Sequence, residues 1–541
     1  MILILVLFAM IAGAQTADLV VENGRIYTVN PKQARVSALA VKDGKILAVG
    51  ENSKAHIGAS TRRIDALGAA VIPGLIDSHA HMEGLGDLLG TFDFRHVKTV
   101  AEVAAMVRKA AAAQPKGAWI RGRNWDQTNW GGQFPSVDDL EKAAPDHPVY
   151  LTRVDGHASW VNRRALALAG ITPETPDPPG GKIHHDAKGQ PTGILIDGAQ
   201  GLVARKIPPA TDAEIRERLA RAAAECARLG LTSVHDAGVS RQGLEAYRAL
   251  LKQGRLPVRV YAMIGGGGGA LWREYLKRGP EVGERLTVRS VKLMADGAMG
   301  SRGAAFWQPY TDDPGNTGLL MLTREQIEKV AREAYQRGFQ VNTHAIGDRA
   351  NRTVLDAYGA VLQGPNDRRF RIEHAQAVAL PDFELFKKYS IIAAMQSTHA
   401  TSDMRWAEQR LGPDRVLGSY APQRFLKIGV KVANGSDFPV EDPNPLWGFY
   451  AAITRQDHQG NPKGGWFPDQ RMTRQEALES WTIDGAYAAF EEQWKGSLEP
   501  GKAADFLVLS RDIMQVPPAE IVTARVTTTV LAGEVVYQDK K

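Results

Sequence analysis

Seven short apolar runs recur along the chain, each closing on polar or charged residues: VIPGLIDSHAH, TSVHDAG, RSVKLMADG, FQVNTHAIGD, FRIEHAQ, IIAAMQSTHA and VKVANGSDFP. Ala-rich stretches separate them, among them residues 100–113, 213–229, 324–337 and 474–490. A strand that is apolar at every position has no face to turn to water, so such strands need helices on both sides. Alternation of these strands with helices predicts a parallel sheet. Seven or eight strand–helix units predict a (β/α)8 TIM barrel, in which reactive side chains sit just past the C-terminal ends of the strands. A chain of 541 residues that is 44% hydrophobic supplies the core this requires, and 23% charged residues argue against a disordered polymer.

The two ends read differently. DLVVENGRIYTV and ALAVKDGKILAVG each place a turn dipeptide, Asn23-Gly24 and Asp43-Gly44, between apolar runs, the pattern of β-hairpins. The last 45 or so residues repeat it in VTTTVLAGEVVYQ. Residues 18–72 and 495–541 are therefore expected to pair into one small β-sandwich, with the barrel over 73–490. The stretch from about 90 to 229 is rich in Trp, Pro and Gly, fits the alternation poorly and reads as an insertion in the barrel. Residues 2–11 are apolar and lead into Ala12-Gly13-Ala14, which resembles a signal peptide over 1–14, although no Lys or Arg precedes it. Export to the periplasm or medium is the expectation, cytoplasmic retention the alternative. The run is too short to span a bilayer.

Several partners and chemistries are excluded. A net charge of +6 over the whole chain, without a run of five or six Lys or Arg, gives no footprint for nucleic acid. One cysteine, Cys226, allows neither an intrachain disulfide nor a Cys-based zinc site, and its Ala-rich setting reads as core. Five glycines at 265–269 lack the Lys-Ser/Thr of a phosphate loop and read as a flexible loop over the barrel mouth. The expected partner is a small organic molecule, with a homo-oligomer left open.

Six residues share one structural address. His79 and His81 follow the first apolar run; positions i and i+2 of a strand face the same way, so both rings can meet one ion. His344 and His374 close FQVNT and FRIE, and Asp437 follows VKVANGS. Lys292 lies inside a strand between Val291 and Leu293, where a charged amine is costly unless paired, exposed or modified. Imidazoles and carboxylates suit zinc, and also manganese, iron or cobalt. A buried lysine can add CO2 and become a carbamate bridging two metal ions.

The motifs PGLIDSHAH, RVDGHASWVN, TSVHDAG, VKLMADGAMGSR, THAIGDRAN, RIEHAQ, QSTHATSDM, NGSDFPVEDPNP and GSLEPGKAADFLVL together resemble the amidohydrolase superfamily. The likeness is to its branch of large YtcJ-like amidohydrolases, which includes N-substituted formamide deformylases. It runs from residue 73 to about 509. The resemblance implies that His79 and His81 are ligands of the more buried metal. It makes Lys292 the carboxylated bridge between two Zn2+, and His344 and His374 the ligands from strands five and six. Asp437 becomes both ligand and proton shuttle. The implied reaction is hydrolysis of a non-peptide C–N bond, amide, formamide or cyclic amide, by metal-activated hydroxide. A deaminase, lactonase or esterase on the same site, or a non-catalytic exported metal-binding protein, are the alternatives.

Five further residues are candidates for substrate contact. His157, in the DGH of the insertion, competes with a plain turn. His235 follows a strand and could sit at the rim or orient a metal ligand. His399 could bind the substrate carbonyl, and Arg302 an anionic or polar group. Trp125, with Trp130 and Trp160, could line an apolar pocket.

Overall fold

The computed structural model describes residues 15–539, apart from 96, 155, 157, 179, 180 and 301. The leader read over 1–14, and with it the expectation of export, lies outside the described residues, as do Asp155 and His157.

Eight parallel strands form the central sheet: β1 (Leu75–Ala80), β2 (Leu231–Val239), β3 (Arg259–Gly265), β4 (Leu286–Met294), β5 (Gln340–Ala345), β6 (Arg371–His374), β7 (Ile392–Met395) and β8 (Val432–Asn434). Each pairs in parallel with the next. The gap between β8 and β1 is crossed just beyond the strand ends. Asp437 N donates to the His79 carbonyl and His81 N to the Phe438 carbonyl, both at 2.8 Å. The buried Asp77 carboxylate accepts from the Ser436 amide and, at 2.6 Å, from its hydroxyl. The sheet thus closes into the expected (β/α)8 barrel.

Helices cover it because their apolar residues recur on one face. In the helix Asp212–Arg228, Ile215, Leu219, Ala222, Ala223 and Cys226 face the barrel core. Its start is fixed by Thr211 and Glu214, whose side chains each bond the other's backbone amide. This helix belongs to the barrel, so the inserted unit ends earlier than the sequence suggested. Its mixed six-stranded sheet runs from Phe92 to Asp197. One face packs around Trp125, Trp160, Val149 and Leu151.

The chain ends form two further sheets. Leu19–Glu22, Leu39–Lys42, Lys45–Val49 and Arg62–Asp65 make a four-stranded sheet. Arg25–Tyr27, Arg35–Val36, Ala70–Pro73, Phe506–Leu509, Val526–Leu531 and Glu534–Gln538 make a six-stranded one. Leu19, Val21 and Leu39 of the first share a core with Phe506, Val508 and Val530 of the second, a β-sandwich built from both termini.

Asp43-Gly44 is a two-residue hairpin turn, with φ +48° and +74° between the paired Lys42 and Lys45. Asn23-Gly24 is not. The strands flanking it lie in different sheets, so the turn carries the chain across the sandwich. The dipeptide specifies a reversal of the backbone; the burial of Val21 and Ile26 in the shared core decides what each strand pairs with.

The glycines at 265–269 join β3 to the helix Ala270–Arg278. The loop is tied down: Gly266 N donates to the Lys292 carbonyl, and a Cβ on Gly267 would lie 2.5 Å from a Val330 methyl.

Candidate metal centre

The barrel delivers the candidate side chains from the ends of different strands to one place. His79 comes from β1, Lys292 from β4, His344 from β5 and His374 from β6, while His81 and Asp437 follow β1 and β8. His374 and Asp437 have left-handed backbones, φ +71° and +60°. A non-glycine residue there carries strain of about 1–3 kcal/mol and persists where surrounding structure imposes it.

The rings gather closely. His79 and His374 have centroids 4.7 Å apart, His344 and His374 4.6 Å, and His79 and His81 5.5 Å. Asp437 Oδ1 lies 3.2 Å from His81 Nε2 and 3.5 Å from His79 Nε2. One ligand atom from each of His79, His374 and Asp437 lies within 4.8 Å of the others. Lys292 Nζ is 3.1 Å from His79 Nε2.

Partners on the far side of each ring pin its orientation. His79 Nδ1 faces the Glu373 carboxylate. His374 Nδ1 faces Gln396 Oε1 at 2.6 Å. His344 is held at its other nitrogen: Nε2 lies 3.4 Å from both the Gly297 carbonyl and Asp296 Oδ1. Donation to these acceptors leaves Nε2 of His79 and His374, and Nδ1 of His344, bare for an electrophile.

Electrostatics act in the same direction. Burial, with Lys292 nearby, holds His79 well below its ordinary value and brings His344 to about 4; burial and the neighbouring rings hold His374 well below. These imidazoles are neutral near pH 7, the state in which they ligate metal. For Asp437 burial works upward, but the close approach of His81, with His79 and His374 beside it, holds it well below the usual carboxylate range. For His81 burial works downward, and Asp437 outweighs it. Burial pushes Lys292 down to about 8 against the pull of Glu373 and Asp437.

Asp437 Oδ1 is buried and completes no well-formed hydrogen bond among the described residues. Bare imidazole nitrogens facing an ionised oxygen fit a divalent cation and fit little else.

The other candidates divide. His399, on the helix Ser397–Asp403, joins the cluster: its ring stacks on His374 at 5.7 Å and its Nε2 lies 3.7 Å from Asp437 Oδ2. His235 is not at the rim. It is fully buried among the strands, with Nδ1 accepting from Arg371 Nη1 at 3.0 Å. Arg302 is committed to Asp312, at 2.7 Å. Trp125 presents no surface to a substrate: it is fully buried, its Nε1 donates to the Leu151 carbonyl at 2.8 Å, and it packs on Trp130 and Trp160. Its large apolar surface serves the core of the inserted unit.

Sequence reasoning missed Glu373, Arg371, Gln396 and Asp296. Asp296, pushed up to about 7 by burial, accepts from the amides of Ala305, Ile346 and Gly347 and so ties the β4 and β5 loops together beside His344. The available signal was opposite charge two residues apart, Arg371 and Glu373, on either side of Ile372 in a segment read as a buried strand.

Residues 62–537 match the family model described as the amidohydrolase family. The chain is 32% identical to the protein YtcJ of Bacillus subtilis, over 95% of this chain and 98% of that one. It is 28% identical to the N-substituted formamide deformylase of Arthrobacter pascens, over 97% and 99%. Among solved structures, a metal-dependent hydrolase from Pyrococcus furiosus superposes with a TM-score of 0.76 at 29% identity, over 92% of this chain and 100% of that one.

Proposed function

The chain belongs to the amidohydrolase family, and on that premise we propose that it hydrolyses non-peptide C–N bonds, amide, formamide or cyclic amide, in a small organic substrate. The observation that carries this reading is the convergence of four histidines, Asp437 and Lys292 at the C-terminal mouth of the barrel. Full-length likeness to a formamide deformylase supports the choice of bond.

His79, His81 and Asp437 would hold one divalent ion, and His344 and His374 a second, with Lys292 as carbamate between them and zinc as the expected metal. Bound there, such ions supply Lewis acidity and a water of lowered pKa. The chain's own groups do the rest. Asp437, ionised and buried, takes the proton from the attacking water and returns it to the leaving nitrogen, since an amine leaves poorly unless protonated. His399 donates from Nε2 to the substrate carbonyl oxygen. Water adds to the carbonyl carbon, the C–N bond breaks, and the products are an acid and an amine. Neutral Lys292 can attack CO2, releasing one proton as the carbamate forms. Export is proposed with this reading, from the apolar leader alone.

The test is a substrate panel of N-acyl amines, N-substituted formamides and cyclic amides, run with zinc-loaded protein. Paired release of acid and amine is expected from at least one class. Turnover confined to esters or lactones would move the reading to another bond, and no turnover with metal bound would overturn it.

A further inference from the structure

Strand β6 places two charges inside an apolar core. Arg371 and Glu373 are both fully buried. Two residues apart, they share a face of the strand, and Arg371 Nε lies 2.8 Å from Glu373 Oε1. Nη2 donates to Glu373 Oε2 at 3.1 Å and also to the Ser78 carbonyl on β1; Nη1 donates to His235 Nδ1 on β2 at 3.0 Å. The guanidinium is thus fixed from three strands. Glu373 Oε2, held by it, is the oxygen that faces His79 Nδ1.

A buried ion pair is a poor device for stability alone, because apolar residues of the same volume do as well or better. Its placement matters at the other end of the His79 ring. A proton held on Nδ1 leaves Nε2 bare, and Nε2 is the atom 3.5 Å from Asp437 Oδ1 and 3.1 Å from Lys292 Nζ.

We propose that Glu373, oriented by Arg371, is a positioning residue that fixes His79 with Nε2 bare and turned into the ligand cluster, and so sets the affinity of that cluster for a divalent ion. This rests on the metal-centre reading above. His235, buried and facing Arg371, belongs to the same support.

The test measures zinc affinity by competition with a chromophoric chelator, and the visible spectrum of the cobalt-loaded protein, on the full chain. Glu373→Leu is expected to weaken binding about 10- to 100-fold and to change the cobalt spectrum. Glu373→Gln keeps an oxygen that can accept from Nδ1 and should lose less. A role limited to neutralising Arg371 predicts equal damage from both. Should Glu373→Leu fail to fold, the double variant Arg371→Met/Glu373→Leu removes both charges together and leaves no unpaired ion. That variant is expected to melt near wild type and still bind zinc weakly. Wild-type zinc affinity and cobalt spectrum in a folded Glu373→Leu or double variant would overturn the proposal while leaving the metal centre standing. Absence of tight metal binding by the wild type would overturn both.

Discussion

Lys292 Nζ stands 3.1 Å from His79 Nε2, and among the described residues no carboxylate forms an ion pair with it. Burial disfavours the charged amine and brings it down to about 8, against the pull of Glu373 and Asp437. As a neutral amine it is a nucleophile for CO2. Wild-type protein prepared with zinc and bicarbonate is therefore expected to hold close to two ions per chain, as in bridged two-metal sites. Lys292→Ala should fall to about one or fewer by elemental analysis. Equal metal content in the two proteins would remove Lys292 from the centre.

Asp437 is bounded by rings at 3.2, 3.5 and 3.7 Å, from His81, His79 and His399. A carboxylate kept ionised there can accept a proton only when the substrate reaction supplies one. Asp437→Asn preserves shape and removes that capacity, so kcat on an active substrate should drop by about 10²- to 10⁴-fold. Circular dichroism should be unchanged, and metal content is measured alongside to separate lost ligation from lost proton transfer. Near wild-type turnover would assign the shuttle elsewhere.

The barrel and the gathering of the six candidate residues were legible because strands buried on both faces leave a continuous apolar run, and because five of the six stand at or just past the end of one while Lys292 interrupts another. That rule fails where a polar residue serves the core. His235 ends an apolar run like His344, yet it points into the barrel and meets Arg371, since its own strand continues to Val239. Trp125 failed for the opposite reason: an aromatic side chain in an irregular segment looks the same whether it lines a pocket or fills a small core. The Asn23-Gly24 crossing could not be read either, because pairing between residues far apart in sequence, such as Ile26 with Val71, overrides the local turn.

Burial of Trp125 yields a prediction of its own. Its indole is enclosed by Trp130, Trp160 and Phe134, with centroids 6.2 to 6.4 Å away. Trp125→Ala should cost about 3–5 kcal/mol in the inserted unit through the cavity it leaves. Denaturant unfolding should show an earlier transition, while metal content stays at the wild-type level. A raised KM without loss of stability would instead return Trp125 to the substrate site.

A buried ion pair spans the sandwich and the barrel. Arg259, at the start of β3, forks onto Asp505 with Nε–Oδ2 at 2.9 Å and Nη2–Oδ1 at 3.0 Å, each side chain at most 5% exposed. Asp505 Oδ1 also accepts from the Ala532 amide at 2.7 Å, and the Asp505 carbonyl accepts from Gly74 N at 2.9 Å. The guanidinium lies 4.9 Å from the centre of the Trp494 ring. Removing one partner strands the other as a buried charge, so Asp505→Ala should destabilise by about 3–5 kcal/mol. Arg259→Met/Asp505→Leu, which removes both, should recover much of that loss, leaving chiefly the unpaired Ala532 amide, at about 1–3 kcal/mol. Denaturant midpoints of the three proteins decide the matter, with limited proteolysis as a second readout. If the pair couples sandwich to barrel, Asp505→Ala is cut first between the barrel and Phe506. A single variant as stable as wild type would show that the sheets hold together by their shared apolar core alone.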